Sequence, residues 1–205
     1  MPTLLLIHGG LWEDIGADWF WRRPGIAAGL ERLGFTVVAP DRLRRPASWA
    51  ADAGHVLAAV AGGPVTVVGG SFGCSVAVRL ALDSPGRVSR MVLAWPASLS
   101  DQFAAIRMRA SLARLGAPAR VLNALLGGKT LPSATDTELS SIAVPVGVIP
   151  AVPPDPFHPR GTDSLLRLLP SATELPGCPE APRPEFAPHL ESFLASVAGF
   201  AGSPG

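Results

Sequence analysis

A serine flanked by glycines carries the clearest chemical signal in this chain. Ser71 lies in the run GGSFG at 69–73, which follows the apolar segment 65–68 and precedes a helical pattern of small residues. A serine on a tight strand-to-helix turn has a strained backbone, and glycines two residues to either side avoid collisions with the neighbouring strand and helix. The turn lifts Ser71 Oγ above the sheet and directs the positive end of the following helix toward it. The pattern predicts a nucleophilic serine.

The base that such a serine needs has few candidates in this chain. A serine hydroxyl is a weak nucleophile unless a base lies within hydrogen-bond reach, and histidine is the usual base. The chain has four histidines and no tyrosine, so no phenol takes part. His55 falls within a predicted surface helix, and His189 begins the last predicted helix. His158 lies three residues after Asp155 in a proline-rich segment.

The elements that must position these residues alternate along nearly the whole chain. Short apolar, β-branched segments predict six strands, at 3–7, 35–39, 64–69, 91–95, 144–149 and 172–175. Helical patterns cover 20–33, 49–61, 72–84, 101–116, 118–127, 162–169 and 188–199. Such alternation predicts right-handed βαβ units that form one mostly parallel, doubly wound sheet with helices on both faces. We expect a single α/β domain over residues 1–205.

Three features stand out from this regular alternation. Residues 97–140 carry two predicted helices between the fourth and fifth strands, an insertion that would form either a small helical lid or a long packed crossover. The proline-rich segments 150–160 and 176–188 each follow a strand, where ligand-facing loops lie in an open α/β sheet. The chain also begins directly on a predicted central strand, without a preceding antiparallel hairpin.

Composition and charge narrow the function classes. Hydrophobic residues make up 48% of the 205 residues and charged residues 16%, which suits a sheet buried on both faces. The net charge of +1 gives no indication of a nucleic-acid or membrane partner. Arg42, Arg44 and Arg45 form a small basic cluster, interpreted as a solvated loop or, alternatively, as a group that attracts an acidic substrate. We expect no cofactor and no metal.

The predicted compartment rests on three observations. Cys74 and Cys178 lie beside different motifs, so we expect no disulfide framework and interpret Cys74 as a small packing residue. The first strand begins at Thr3, which leaves no room for a signal peptide. No apolar run reaches the length of a membrane span, about 20 residues. These observations predict a cytoplasmic protein.

Further segments accompany the serine turn. They are His8-Gly9-Gly10 after the first strand, 38–42 after the second, 93–96 after the fourth, 155–159 after the fifth, and 168–178 around the sixth. Together with the turn at 69–73, they resemble the α/β-hydrolase superfamily over nearly the full length. The resemblance implies a sheet ordered 2-1-3-4-5-6 that lacks the family's N-terminal hairpin. It also implies an active site at the carboxyl ends of the strands.

This resemblance also implies a role for individual residues. Ser71 would be the nucleophile, and the backbone N–H groups of Gly10 and Phe72 would form the oxyanion hole. His8 in such a motif orients its loop rather than acting as a base. The catalytic acid would follow the fifth strand, which points to Asp155.

The chain departs from the family after the last strand, where the catalytic histidine is expected. Residues 176–180 read Pro-Gly-Cys-Pro-Glu, so Glu180 occupies the usual position of that histidine. A free carboxylate has a pKa near 4, which suits a base poorly at pH 7. We therefore favour a rearranged triad in which His158 activates Ser71, while Glu180 or Asp155 orients the imidazole.

Other interpretations stay open at this point. His189 would serve as the base if residues 179–188 folded back over the site. Glu180 would act directly if burial raised its pKa. Alternatively, Glu180 would be purely structural and pair with an arginine such as Arg183 or Arg160. The protein would then have no working serine–histidine pair.

The substrate prediction rests on apolar residues near the expected site. Trp12, Trp19, Trp21 and Trp95 cluster near its mouth by sequence position, with core packing as the alternative. We expect Leu11, Trp12 and Trp95 to contact the substrate. An apolar, aromatic pocket suits a hydrophobic ester, thioester or lactone cleaved through an acyl-enzyme. The alternative is a catalytically silent protein of this fold that binds a small apolar molecule or a protein partner, or non-hydrolytic chemistry on the same scaffold.

Overall fold

The computed structural model describes residues 1–99, 101–153 and 161–202. Its strands are β1 (Thr3–Ile7), β2 (Thr36–Val38), β3 (Val65–Gly70), β4 (Val88–Ala94), β5 (Val146–Ile149) and β6 (Ala172–Glu174). All of them pair in parallel, and they form one sheet in the order β2-β1-β3-β4-β5-β6. The six predicted strands and their predicted order are confirmed.

Helices connect these strands. They are α1 (Ile26–Arg32), α2 (Trp49–Leu57), α3 (Gly73–Asp83), α4 (Gln102–Arg114), α5 (Ala119–Leu125), α6 (Asp136–Ser140), α7 (Gly161–Leu168) and α8 (Leu190–Gly202). A π-helical turn covers Asp18–Arg22, and 3-10 turns cover Pro85–Arg87 and Pro184–His189. In the described part of the chain, no helix combines the length and hydropathy that crossing a bilayer requires.

The hydrophobic core lies on both faces of the sheet, and β1 shows why. Successive side chains of a strand point to opposite faces. Leu5 and Ile7 pack with residues of α2, α3 and α5, whereas Leu4 and Leu6 pack with residues of α1 and α8. All four side chains are fully buried. A strand buried on both faces therefore reads as the continuous apolar run that the sequence shows.

The helices differ from prediction at two places. The predicted helix 20–33 is divided, because Pro24 and Gly25 interrupt it and Gly25 has a φ of +84°. The insertion at 97–140 contains a third helix, α6, in addition to the two predicted. Thr135 and Glu138 form a capping box at its start, a signal that the sequence carried.

Candidate active site

The turn between β3 and α3 holds Ser71 in a left-handed backbone conformation, with a φ of +52°. Its N–H donates to the Ala94 carbonyl on β4 at 2.9 Å. A Cβ on Gly69 would lie 2.7 Å from the Gly73 carbonyl oxygen, and one on Gly73 would overlap the Ile7 carbonyl oxygen. Both glycines are therefore required by the close approach of β3, α3 and β1, as the sequence predicts.

Cys74 stabilises this turn through hydrogen bonds from its N–H and its thiol. Its N–H donates to the Ser71 carbonyl at 3.0 Å. Its thiol donates to the carbonyls of Gly69 at 3.2 Å and Ala94 at 3.3 Å. Burial, with a further contribution from the charge of Glu180, raises the pKa of the Cys74 thiol well above its usual value. The thiol is therefore a neutral packing group, in agreement with its interpretation from sequence.

The loop after β1 lies directly against Ser71. A Cβ on Gly9 would lie 2.9 Å from Ser71 Cβ, so only glycine allows this approach. Gly10 has a φ of +78°, and it lines the same cavity as Ser71 and Phe72. In the described part of the chain, neither the Gly10 N–H nor the Phe72 N–H makes a hydrogen bond. The two N–H groups predicted to form an oxyanion hole are thus available beside the serine.

A buried arginine fixes the backbone of this loop. Arg42 donates from one guanidinium nitrogen to the carbonyls of His8 at 2.9 Å, Gly9 at 3.2 Å and Gly10 at 2.8 Å. It also donates to Asp52 Oδ2 from Nε at 3.0 Å and from the other terminal nitrogen at 2.8 Å. The Arg42 and Asp52 side chains are 3% and 0% exposed. A single buried guanidinium therefore binds three consecutive carbonyls of this loop.

This placement corrects one interpretation of the basic cluster. Arg42 belongs to the interior, because Asp52 on α2 neutralises it there, so it is neither solvated nor able to meet a substrate. Arg44 is exposed and pairs with Asp14. Arg45 lies 5.4 Å from the Trp12 ring centroid.

His8 has a structural role, as expected from sequence. Its Nδ1 donates to the Gly9 carbonyl at 2.8 Å, and its Nε2 accepts from the Arg42 N–H at 3.0 Å. Burial and the positive charge of Arg42 lower the pKa of His8 below its usual 6.5. The ring is therefore a neutral tautomer with both nitrogens engaged, and it cannot accept a proton from Ser71.

Ser71 faces a cavity of about 420 Å³ at the carboxyl ends of the strands. The lining residues are largely apolar, and two of them, Ala104 and Met108, belong to α4. The lining residues are Gly10, Glu13, Ile15, Trp19, Phe20, Ser71, Phe72, Ala97, Ser98, Leu99, Ala104, Met108, Glu180, Pro182, Arg183 and Pro184. The size and the apolar character suit a small organic ligand.

Glu180 lies across this cavity on the loop after β6. The loop is tied to the sheet through Cys178, whose carbonyl accepts from Trp95 Nε1 at 2.9 Å and whose N–H donates to the Pro150 carbonyl at 3.2 Å. The Glu180 side chain is 16% exposed, and its Oε2 lies 3.9 Å from Arg183 Nε. The carboxylate therefore lines the same cavity as Ser71 and lies near an arginine.

None of the described histidines lines the cavity. His55 is exposed on α2 and contacts the Asp41 carbonyl through Nε2 at 3.1 Å. His189 is exposed at the end of a 3-10 turn, so the folding back of residues 179–188 that would bring it to Ser71 does not occur. The predicted base His158 and the predicted acid Asp155 lie outside the described residues.

The three residues predicted to contact substrate do not line the cavity. Leu11 is buried in the core, and Trp95 is fully buried and stacks on Phe193 with centroids 5.2 Å apart. Trp12 turns to the other side of its loop, where Nε1 donates to the Pro46 carbonyl at 3.2 Å. Trp12 and Trp95 thus donate to carbonyls that are distant in sequence, and Leu11 packs in the core.

Other residues form the apolar and charged walls instead. Trp19 and Phe20 belong to the π-helical turn. The sequence places Trp19 near the mouth of the site but does not identify it as a residue that contacts substrate. Glu13, on the loop after β1, was not identified. Glu13 follows the His8-Gly9-Gly10 segment by three residues, which would indicate a position near the site. A single carboxylate on a loop, however, has no distinctive sequence pattern. Within the described residues, no group of three or more His, Cys, Asp or Glu could hold a metal ion.

The fold is shared with several solved structures. A meta-cleavage product hydrolase from Pseudomonas fluorescens IP01 is 19% identical, with a TM-score of 0.71 over 98% of this chain and 90% of that chain. A serine hydrolase from Cycloclasticus zankles is 18% identical, with a TM-score of 0.67 over 99% and 92%. An α/β-hydrolase enzyme from the sediment metagenome of the Mar Chica lagoon in Morocco is 18% identical, with a TM-score of 0.70 over 97% and 90%.

Sequence comparisons give no match, since neither a protein-family profile nor a curated protein matches the chain. The structural similarity, together with the sheet order and the serine turn, shows that the chain has the α/β-hydrolase fold. The fold implied by the sequence resemblance is therefore confirmed.

Proposed function

We propose that this protein of α/β-hydrolase fold is a serine hydrolase that cleaves a carboxylic ester, thioester or lactone of an apolar substrate. One observation carries the proposal. Ser71 faces a largely apolar cavity at a strained turn, and the same cavity is lined by Gly10 and Phe72, whose N–H groups make no hydrogen bond within the described part of the chain. Backbone strain of this kind persists where the surrounding structure enforces it, and it concentrates at functional sites.

The proposed reaction has two stages. Ser71 Oγ attacks the substrate carbonyl carbon and loses its proton to a base, and the resulting oxyanion accepts from the Gly10 and Phe72 N–H groups. The tetrahedral intermediate expels the alcohol or thiol, which receives the proton, and an acyl-enzyme remains. Water then attacks the acyl carbon by the same route, releasing the carboxylic acid and restoring the serine.

We propose His158 as the base, with Glu180 or Asp155 orienting its imidazole. Pro153, the last described residue before the segment that contains His158, lines a second cavity together with Glu180. The chain therefore enters that segment beside the carboxylate that also faces Ser71. Among the described residues no histidine competes for this role, because His8 is engaged at both nitrogens and His55 and His189 are exposed.

A second candidate function is a catalytically silent protein that binds a small apolar molecule in the same cavity. The observation that favours it is the carboxylate of Glu180 at the position where the family has its catalytic histidine. In that case the cavity keeps its shape and its apolar walls but has no base that can activate Ser71.

Labelling with a fluorophosphonate probe distinguishes the two functions, because the probe reacts covalently only with an activated serine. We expect stoichiometric labelling of the native protein at pH 7.5 and none of Ser71→Ala. Ser75→Ala is the matched control, since this hydroxyl is buried one turn along α3 and does not line the cavity. Absence of labelling in the folded native protein would overturn the hydrolase proposal.

The base is tested by the same probe in three histidine variants. His158→Ala should lower the labelling rate by about 10² or more, because general-base assistance contributes about 10²–10⁴. The controls His55→Ala and His189→Ala should label at the native rate. A native rate in His158→Ala would remove the rearranged triad and leave Glu180 as the remaining described candidate.

A further inference from the structure

The charges that line the cavity are not balanced. Among the described lining residues, three side chains are charged: Glu13, Glu180 and Arg183. Glu180 and Arg183 oppose each other at 3.9 Å. No ion pair within the described chain involves Glu13. Among the described residues, the Glu13 side of the cavity therefore carries a negative charge that no ion pair offsets.

Glu13 is held at the oxyanion end of the cavity. A Cβ on Gly10 would lie 3.3 Å from Glu13 Oε2, which places the carboxylate beside the loop that follows β1. Desolvation raises the pKa of Glu13, and the neighbouring Leu11 N–H opposes this to a smaller extent. A carboxylate at the edge of an apolar cavity attracts a cation by direct Coulomb interaction.

Two aromatic side chains share the cavity with this carboxylate. Trp19 lines it and is 43% exposed, so its ring lies at the mouth. Phe20 lines it from the interior, where a Cβ on Gly9 would meet its ring at 2.6 Å. Indole and phenyl faces attract cations through their quadrupoles, by about 0.5–2 kcal/mol each in proteins. A carboxylate and two aromatic rings on one cavity are the chemistry that binds an ammonium group.

We propose that Glu13, Trp19 and Phe20 form a subsite for a cationic ammonium group, so that the preferred substrate is an apolar ester carrying a positive charge close to its carbonyl. This inference rests on the proposed hydrolase function for its substrate class, but the subsite itself is a binding property. The same charge disfavours substrates that carry a free carboxylate, because two negative charges would share one largely apolar cavity.

Isosteric ester pairs test the subsite, since they differ only in charge. With the charge on the alcohol side, the pair is choline butanoate and 3,3-dimethylbutyl butanoate. With the charge on the acyl side, the pair is methyl 4-(trimethylammonio)butanoate and methyl 5,5-dimethylhexanoate. We expect kcat/KM to favour the cationic member about tenfold in at least one pair, a size consistent with a partly exposed charge and aromatic contacts.

Glu13→Gln should reduce this preference to about unity while keeping the shape of the side chain. The matched control is Asp14→Asn, because Asp14 is the adjacent carboxylate but pairs with Arg44 and does not line the cavity. It should retain the preference. Equal kcat/KM within both pairs for the native protein, or a preference that survives Glu13→Gln, would overturn the subsite.

Equilibrium binding separates this outcome from failure of the hydrolase proposal. Titration calorimetry on Ser71→Ala, which cannot form an acyl-enzyme, measures the affinity of the same esters without turnover. We expect the cationic member to bind about tenfold more tightly, and the added Glu13→Gln change to remove the difference. This result without any hydrolysis in the native protein would contradict the hydrolase and support the subsite, whereas equal affinities within both pairs would contradict the subsite.

Discussion

The two sides of the Ser71 cavity are built in different ways. On the nucleophile side, Ser71, Gly9 and Gly10 lie on turns whose backbone is fixed by neighbouring strands and by the buried pair of Arg42 and Asp52. On the opposite side, Glu180 extends from a proline-rich loop that is tied to the sheet mainly through Cys178. The nucleophile side is held by several strands and a buried ion pair, whereas the opposite side is held mainly by the hydrogen bonds of one residue, Cys178.

This difference bears on why the turn at 69–73 follows the pattern of the α/β-hydrolase superfamily, whereas Glu180 departs from it. Replacing a residue on the nucleophile side disturbs strands that form the core, so few residue types are compatible with folding. Position 180 lies on a loop outside the strands, where its carboxylate lies 3.9 Å from Arg183 Nε. The packing of the sheet therefore restricts the residue types at the serine turn more directly than those at position 180.

The largest expected effect is at Gly73. Gly73→Ala places a methyl group against the backbone of β1, which cannot move without disrupting the sheet, so we expect a loss of about 4 kcal/mol or more in the free energy of unfolding. Urea denaturation measures this loss. Gly54→Ala is the control, since no atom lies within 4 Å of its added methyl and alanine favours a helix by about 0.5–1 kcal/mol. Similar stabilities for the two variants would break the comparison.

The second effect is at Arg42. Arg42→Met leaves Asp52 charged and buried, which should lower the free energy of unfolding by about 3–5 kcal/mol. The double variant Arg42→Met with Asp52→Leu removes both charges and should recover most of that stability. Its fluorophosphonate labelling should stay slow, because the carbonyls of residues 8–10 have lost their shared donor. Native labelling by the double variant would limit Arg42 to a stabilising role.

The third effect concerns the opposite side. In a His158→Ala background, Glu180→His supplies a histidine at position 180, and we expect p-nitrophenyl butanoate turnover to rise by about 10² over His158→Ala alone. Glu185→His is the matched control, because Glu185 lies on the same loop but does not line the Ser71 cavity. An unchanged rate for Glu180→His would show that the loop, and not only its side chain, departs from the geometry of the fold.

The smallest effect sharpens the comparison through pH. The pKa of His8 lies below its usual 6.5 in the folded protein, so the unfolded chain binds a proton first as the pH falls. Stability from this residue is present above about pH 6.5 and is lost below it, by up to about 1.4 kcal/mol per pH unit. Thermal unfolding of the native protein between pH 8 and 5 should show this loss, and His8→Gln should lack it. The exposed His55→Gln should behave like the native protein, and an equal pH dependence in His8→Gln would contradict the assignment.

The sequence allowed prediction of the features that depend on local pattern. The six strands follow from continuous apolar runs, and the serine turn follows from glycines at 69 and 73 that leave no room for a side chain. The orienting role of His8 came from the resemblance to the α/β-hydrolase superfamily. The strands and the serine turn need only neighbours in sequence or the common geometry of a parallel sheet.

The features that escaped prediction depend on distant partners. Arg42 is buried because Asp52 faces it across a loop, and Trp95 is buried because Cys178, 83 positions away, accepts its N–H. Glu13 enters the cavity because its loop turns back toward Gly10. None of these contacts produces a periodic pattern in the sequence. Composition and spacing therefore predict that Arg42 is exposed to solvent and that Trp95 contacts substrate.

The backbone angle of Ser71 has an evolutionary consequence. Glycine adopts a φ of +52° with less strain than serine does. Selection for folding alone would therefore favour replacement of this serine by glycine, whereas the neighbouring glycines would be kept because a side chain does not fit there. Descendants that had lost their chemistry would therefore keep an intact turn with glycine at its apex. A lineage that retains the hydroxyl at that strained position records continuing selection for what the hydroxyl does.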